Sequence, residues 1–209
     1  MTRNDTNHQI TDIAALEELY GAPSEPATIK ELDYIHPVYR KLIEHSPFAV
    51  LATGSEAGLD ASPRGDKAGF VVVEDEKTLL LPDRRGNNRF DSLRNILENP
   101  HVALFFLIPG IGETMRVNGR ASISVDPALL DRFVVNGKPP RSVIVISVDA
   151  AFFQCSKAVV RSDLWNPEKR VERAALPSTG AILGEISKGG FDGEAYDREL
   201  PERVQATLY

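Results

Sequence analysis

The densest chemistry in the chain lies in PDRRGNNRFDSL, Pro82 to Leu93. Arg84, Arg85 and Arg89 fall within six positions, with Gly86, Asn87 and Asn88 between them. The segment runs into a helix-like pattern. A helix N-terminus offers backbone N–H groups without intrahelical partners and the positive end of a dipole. Arginine adds bidentate hydrogen bonds to phosphate oxygens. Together these make a phosphate cradle. A solvated basic turn has the same composition, so spacing alone leaves both readings open.

Two more segments carry charge at suggestive spacing. In SPRGDKAG, Ser62 to Gly69, Arg64 and Asp66 flank Gly65. Taken alone they pair with each other or decorate a turn. In CSKAVVRSDLW, Cys155 to Trp165, Lys157 and Arg161 are four apart. They would share a face of a helix and would point the same way on a strand. That spacing suits cations beside a phosphate or a reduced flavin, and it suits two solvated charges equally. Cys155 reads as a small buried hydrophobe. His8, His36, His45 and His101 form no pair with metal-ligand spacing. G-x-S-x-G, the Walker loop and G-x-G-x-x-G are all absent. The G-x-G of Gly110–Gly112 reads as a turn, and Glu74–Glu76 as a solvated acidic turn. No catalytic residue and no metal ligand emerges.

Composition narrows the field. The chain has 209 residues, with 24 Lys and Arg against 30 Asp and Glu, a net charge of −6. That balance gives no global field for nucleic acid, though a local basic cluster can still hold a phosphate. The single cysteine excludes an internal disulfide and a multi-cysteine metal site. The clearest apolar run, Val102–Ile108, is far too short to span a bilayer. The opening MTRNDTNHQ lacks the hydrophobic stretch of a signal peptide. The expectation is a cytoplasmic protein with no membrane partner.

The elements that must hold these residues follow from periodicity. Up to residue 47 the pattern is helical: Ile13, Leu16, Leu19 and Tyr20 share a face, Thr28 and Glu31 form a capping box, and a helix runs from Pro37 to before Pro47. From Phe48 the period becomes two. Strands are expected at 48–53, 59–65, 69–73, 78–81, 101–107, 114–125 and 142–148, with Gly119 at a bulge. A helix with apolar Phe90, Leu93, Ile96 and Leu97 follows the basic loop 82–89, and Asp126–Pro127 opens another. Several connections are too short for parallel crossovers. The reading is a mainly β, α+β fold: a closed or split antiparallel barrel. An N-terminal helical segment, 1–47, precedes the barrel, 48–168. A C-terminal arm, 169–209, is expected to be extended, with a short closing helix at Glu199–Leu208.

The run FAVLAT…GLDASPRGD…TLLLPDRRGNNRFDSLRNILENPHVALFFLIPGIGETMRVNGRA…CSKAVVRSDLWNP resembles the pyridoxamine 5′-phosphate oxidase-like flavoproteins. The combination of GNNRFDSLRNILENP, RVNGRA and the ending LPERVQATLY is most similar to their bacterial FMN-binding branch. The resemblance implies a split-barrel homodimer with FMN at the dimer interface. It implies that Arg64 lies beside the ring or phosphate. Pro82, Arg85, Asn87, Asn88 and Arg89 would contact the flavin, the last four holding its phosphate and ribityl chain. Lys157 and Arg161 would serve the flavin edge or phosphate, reaching from either subunit. The implied activity is an FMN-dependent oxidoreductase acting on an unidentified small molecule, with NAD(P)H as reductant. The alternative is a flavin-binding or redox-sensing protein without turnover. The chain departs from the vitamin enzymes in two places. SDLWNPEKR stands where they end in Arg-Leu-x-Pro, and the Arg84–Asn88 segment differs from their Ser-Arg-Lys stretch. F420 and haem also occupy this fold in relatives; the branch-specific segments point to FMN.

Overall fold

Alternation of apolar and polar side chains becomes seven strands in the computed structural model, which describes residues 8–209. Two units are described separately, one ending at Glu31 and one spanning Leu32–Tyr209.

In the first unit, α1 (Ile13–Tyr20) starts at Asp12, whose carboxylate accepts from the Ala15 N–H at 2.9 Å, and Gly21 ends it. Its apolar stripe of Ile13, Leu16, Leu19 and Tyr20 is exposed. The short α2 (Glu25–Ile29) overturns the expected capping box. Thr28 lies inside that helix, and its hydroxyl donates back to the Glu25 carbonyl at 2.9 Å. Residues 1–7 of the expected 1–47 helical segment lie outside the described residues.

In the second unit, α3 (Pro37–Glu44) buries Tyr39 and Ile43. The strands are β1 (Phe48–Ser55), β2 (Gly58–Gly65), β3 (Val72–Val73), β4 (Thr78–Asp83), β5 (His101–Leu107), β6 (Thr114–Ser124) and β7 (Ser142–Gln154). All pairings are antiparallel, in the order β2-β1-β5-β6-β7-β4-β3. Leu51, Leu104, Val117, Ile146 and Leu81 belong to one buried cluster although they span the sheet from β1 to β4. The sheet is therefore rolled around its core. The two outer strands do not pair with each other, so it is a split barrel, α+β, as expected.

Gly119 sits at a register break between β6 and β7. A Cβ there would meet the Ser147 carbonyl oxygen at 2.1 Å, so only glycine fits. Asp149 is left without a partner in the ladder, and the inward parity of β7 changes from Ile144, Ile146 and Val148 to Ala151. That switch explains why β7 continues to Gln154, past the expected end at Val148. The alternation breaks at the bulge and starts again one residue out of phase.

Other expectations need correction. The strand expected at 69–73 shrinks to β3, because Lys67–Phe70 forms a turn. β4 extends through Pro82 and Asp83, taking two residues from the expected loop. Proline is tolerated there because β3 pairs only with Leu79 and Leu80, leaving Pro82 on an open edge. Cys155 is exposed, not buried. Glu74 is exposed, as expected of the acidic turn, and it also accepts two hydrogen bonds from the Arg132 guanidinium.

The barrel's remaining helices are α4 (Asp91–Glu98), α5 (Pro127–Asp131) and α6 (Lys157–Ser162). The arm is helical, not extended. It comprises α7 (Thr179–Ile186), capped by Ser178, and α8 (Gly193–Thr207), capped by Asp192. The two helices touch where Gly180 meets Gly193. A Cβ on either would lie about 2 Å from the other's carbonyl oxygen. Asp197 fixes the pair by accepting from the Gly180 N–H at 2.7 Å and from the Ser178 hydroxyl. The arm's glycines suggested extension, but Gly180 and Gly193 serve close packing; the expected closing helix at Glu199–Leu208 is the C-terminal part of α8, which holds Pro201.

Candidate functional site

The split in the barrel is spanned by side chains. Arg64 at the end of β2 reaches Asp83 at the end of β4, Nη1 to Oδ1, 2.7 Å. Beyond them, Arg84 Nε reaches Asp66 Oδ2 at 3.0 Å. Arg64 and Asp66 thus do not pair with each other, one of the two bland readings of their sequence. Each crosses to the opposite edge of the sheet. Both pairs are largely shielded from water, where ion pairs hold geometry better than at the surface.

Beside these pairs opens a cavity of about 670 Å³, inside the usual range for small-molecule sites. One wall is the end of β2 with Arg64. A second is Pro82 and the loop of Arg85, Asn87, Asn88 and Arg89. The third is the first turns of α4, with Phe90, Arg94 and Leu97. Arg141, just before β7, completes it.

The loop has a defined conformation. Asn87 Oδ1 accepts from the Arg89 N–H at 3.0 Å. Asn88 is left-handed, φ 60°, and its Oδ1 accepts from Arg141 at 3.0 Å. Arg89 turns to Asp91, 2.8 Å away, and is mostly exposed. The N-cap of α4, Phe90, makes no side-chain cap, so the first N–H groups of the helix receive no capping bond from it. The helix is seated on the barrel by polar bonds. Ser92 Oγ donates to Asp60 at 2.7 Å, and Asn95 donates to the Thr53 hydroxyl at 3.0 Å. Of its expected apolar stripe, Ile96 is buried and Leu93 half-buried. Phe90 and Leu97, 49% and 78% exposed, face outward at the cavity.

Two features of the cavity fit an anionic guest. Arg64 Nε is buried and has no hydrogen-bond partner, a costly state that a ligand acceptor would relieve. Arg85 makes no ion pair among the described residues, although it sits between Arg84 and a run of polar donors. The donor set of guanidinium groups, asparagine amides and an uncapped helix end suits a phosphate.

Burial pushes the Asp66 carboxyl up. Hydrogen bonds from Tyr209, from the Lys67 N–H and from Arg84 outweigh it and hold the group below its ordinary range. Asp66 is therefore an anion that locks Arg84, not a proton donor at neutral pH.

Six of the eight expected residues thus meet at one cavity: Arg64, Pro82, Arg85, Asn87, Asn88 and Arg89. Lys157 and Arg161 share a face of α6, outside the cavity lining. Sequence reasoning passed over Phe70, Arg94 and Arg141. Arg141 arrives through the pairing of Asp83 with Ser142, which no local pattern announces. Arg94 could have been found, since a helix places it one turn after Phe90. Trp165 donates its indole N–H to the Ile111 carbonyl at 2.8 Å, so it anchors the segment after α6 to the β5–β6 turn. Among the described residues no cluster of three or more His, Cys, Asp or Glu could hold a metal, and no helix is long and apolar enough to cross a membrane.

Residues 35–155 match the family model described as pyridoxamine 5′-phosphate oxidase. No curated protein matches the chain. Similar solved structures include HupZ from Group A Streptococcus, at 20% identity and TM-score 0.49, covering 58% of this chain and 95% of that one. General Stress Protein 26 from Bacillus anthracis has 19% identity and TM-score 0.41, covering 54% and 88%. An FAD binding protein from Mycobacterium smegmatis has 13% identity and TM-score 0.40, covering 59% and 97%.

Proposed function

The chain belongs to the pyridoxamine 5′-phosphate oxidase family, and from that membership we propose that it is an FMN-dependent oxidoreductase acting on a small molecule. The observation that carries this reading is the arginine-lined cavity, with the orphaned Nε of Arg64 in its wall. Its size and donors fit a phosphorylated cofactor with a flat ring. Arg85, Asn87, Asn88 and the open start of α4 hold the phosphate end. Arg64, held by Asp83, would lie beside the ring or the phosphate, and beside the ring its charge would favour the reduced form. Phe70, Phe90 and Leu97 offer apolar surface to the ring. When bound, FMN supplies the electron and hydride chemistry; the protein supplies position, charge and exclusion of water. No acid–base pair among the side chains is required.

The same reading includes a homodimer. A row of residues crosses four strands on the outer face of the sheet: Val50, Phe105, Arg116 and Phe152 are successive partners on β1, β5, β6 and β7. Arg116 lies 4.5 Å from the Phe152 ring, and its Nε is buried without a hydrogen-bond partner. Phe152 is already buried and Val50 and Phe105 are half-buried; a second copy covering this face would cover the latter two and supply Arg116 with an acceptor. Lys157 and Arg161 would reach a flavin from that second copy.

The test is a visible spectrum of the purified chain before and after anaerobic NADPH. A yellow protein that bleaches is the expected result. A colourless chain that takes up no added FMN contradicts the proposal. A yellow protein that NADPH leaves unchanged removes NADPH turnover and leaves flavin binding or redox sensing.

A further inference from the structure

The last helix buries none of its residues, yet the chain just beyond it is fastened to the barrel. Tyr209 Oη donates to Asp66 Oδ1 at 2.8 Å. The Tyr209 ring lies 5.6 Å from the Arg84 guanidinium. Lys138 Nζ donates to the Tyr209 main-chain oxygen at 2.8 Å.

Asp66 is the hub of this contact. Its Oδ1 takes Tyr209 and the Lys67 N–H, and its Oδ2 takes Arg84. Arg84 also donates to the Phe133 carbonyl at 2.7 Å. Arg84 immediately precedes Arg85, which lines the cavity with no ion pair among the described residues to hold it. The chain that carries the loop is thus held by a carboxylate that a distant tyrosine shares with the Lys67 N–H and Arg84.

We propose that Tyr209 is a positioning residue for the cavity: docked on Asp66 it fixes Arg84, and through Arg84 the Arg85–Arg89 wall, so that undocking the arm loosens the anion site. An arm with few buried apolar contacts opens at lower cost than the barrel. Among the described residues, the hydrogen bonds and ring contacts between the end of the arm and the barrel all fall at Tyr209. In its effect on cofactor affinity this inference rests on the FMN reading; in its effect on the loop it does not.

The experiment compares the full chain with Tyr209→Phe and Tyr209→Ala. Tyr209→Phe removes only the hydroxyl, and Tyr209→Ala also removes the ring under Arg84. Trypsin cleavage after Arg85 should become several-fold faster in Tyr209→Phe and faster again in Tyr209→Ala. The thermal midpoint of the barrel should stay unchanged. FMN affinity, read by quenching of flavin fluorescence, should fall by at most about fivefold for the hydroxyl alone, the worth of one net hydrogen bond, and further for Tyr209→Ala. Loop cleavage unchanged in both variants overturns the proposal. So does faster cleavage with an unchanged FMN affinity, because the loop would then be uncoupled from the site. A cleavage gain that tracks an equal loss of global stability also overturns it. Faster cleavage in a chain that binds no FMN at all removes the functional reading and supports the latch.

Discussion

The barrel and the C-terminal arm are held by different physics. In the barrel, Leu51, Leu104, Phe106, Ile144 and Ile146 are fully buried in one cluster that spans the rolled sheet. In the arm, α7 buries only Gly180 and α8 buries nothing. The arm relies on a glycine contact, an aspartate accepting two hydrogen bonds, and one tyrosine at its tip. The barrel therefore holds most of the buried apolar contacts, and the arm holds few, so opening the arm should cost less than opening the barrel. The candidate site lies on the barrel, and Tyr209 reaches the edge of its wall through Asp66.

The most disruptive way to break this contrast is at the core. Phe106→Ala should cost about 3–5 kcal/mol, read by urea unfolding of the whole chain. A loss under about 1 kcal/mol would mean that the barrel is not the stable half. In the arm, Gly180→Ala forces a Cβ to within 2.0 Å of the Gly193 carbonyl oxygen. It should cost about 1–3 kcal/mol locally. Hydrogen exchange should quicken across α7 and α8 while the barrel amides keep their protection. Equal quickening in both regions would erase the distinction.

The gentlest probe is proton linkage at Asp66. Its folded pKa is depressed below the ordinary 3.8. A depressed carboxyl stabilises the docked arm fully above the ordinary value and loses that contribution as the pH falls through the folded value. Tyr209 has the opposite sign. Its hydrogen bond to Asp66, burial and the nearby negative charge raise it above the ordinary 10.0, against a smaller effect of Arg84. Its contribution is present below that value and lost as the pH rises through the folded pKa. An NMR titration should place the Asp66 carboxyl below 3.8 and move it upward in Tyr209→Phe. A value above 3.8 in the intact chain would show burial winning over the hydrogen bonds.

Much of the barrel is legible in the sequence because period-two alternation is a local signal. FAVLAT, HVALFFL and the bulge at Gly119 declare themselves. The end of β7 does not, since the bulge reverses its phase. The arm is legible only in part: its closing helix is expected, but its glycines mimic an extended segment until Gly180 and Gly193 are seen in contact. The same divide holds at the site. Arg85, Asn87 and Asn88 stand together in sequence, but the crossed pairs Arg64–Asp83 and Arg84–Asp66 exist only once the sheet rolls. Arg141 likewise comes to the cavity through strand pairing, across a gap of more than fifty residues from Asn88.

We propose that this cavity is an FMN site on the barrel. Titrating FMN into the flavin-free full chain, with Arg85→Ala alongside, tests it most directly. The account predicts one FMN per chain and an affinity about tenfold or more weaker in Arg85→Ala, the loss of a charge-assisted hydrogen bond. No binding by the intact chain, or equal affinity in Arg85→Ala, would contradict it.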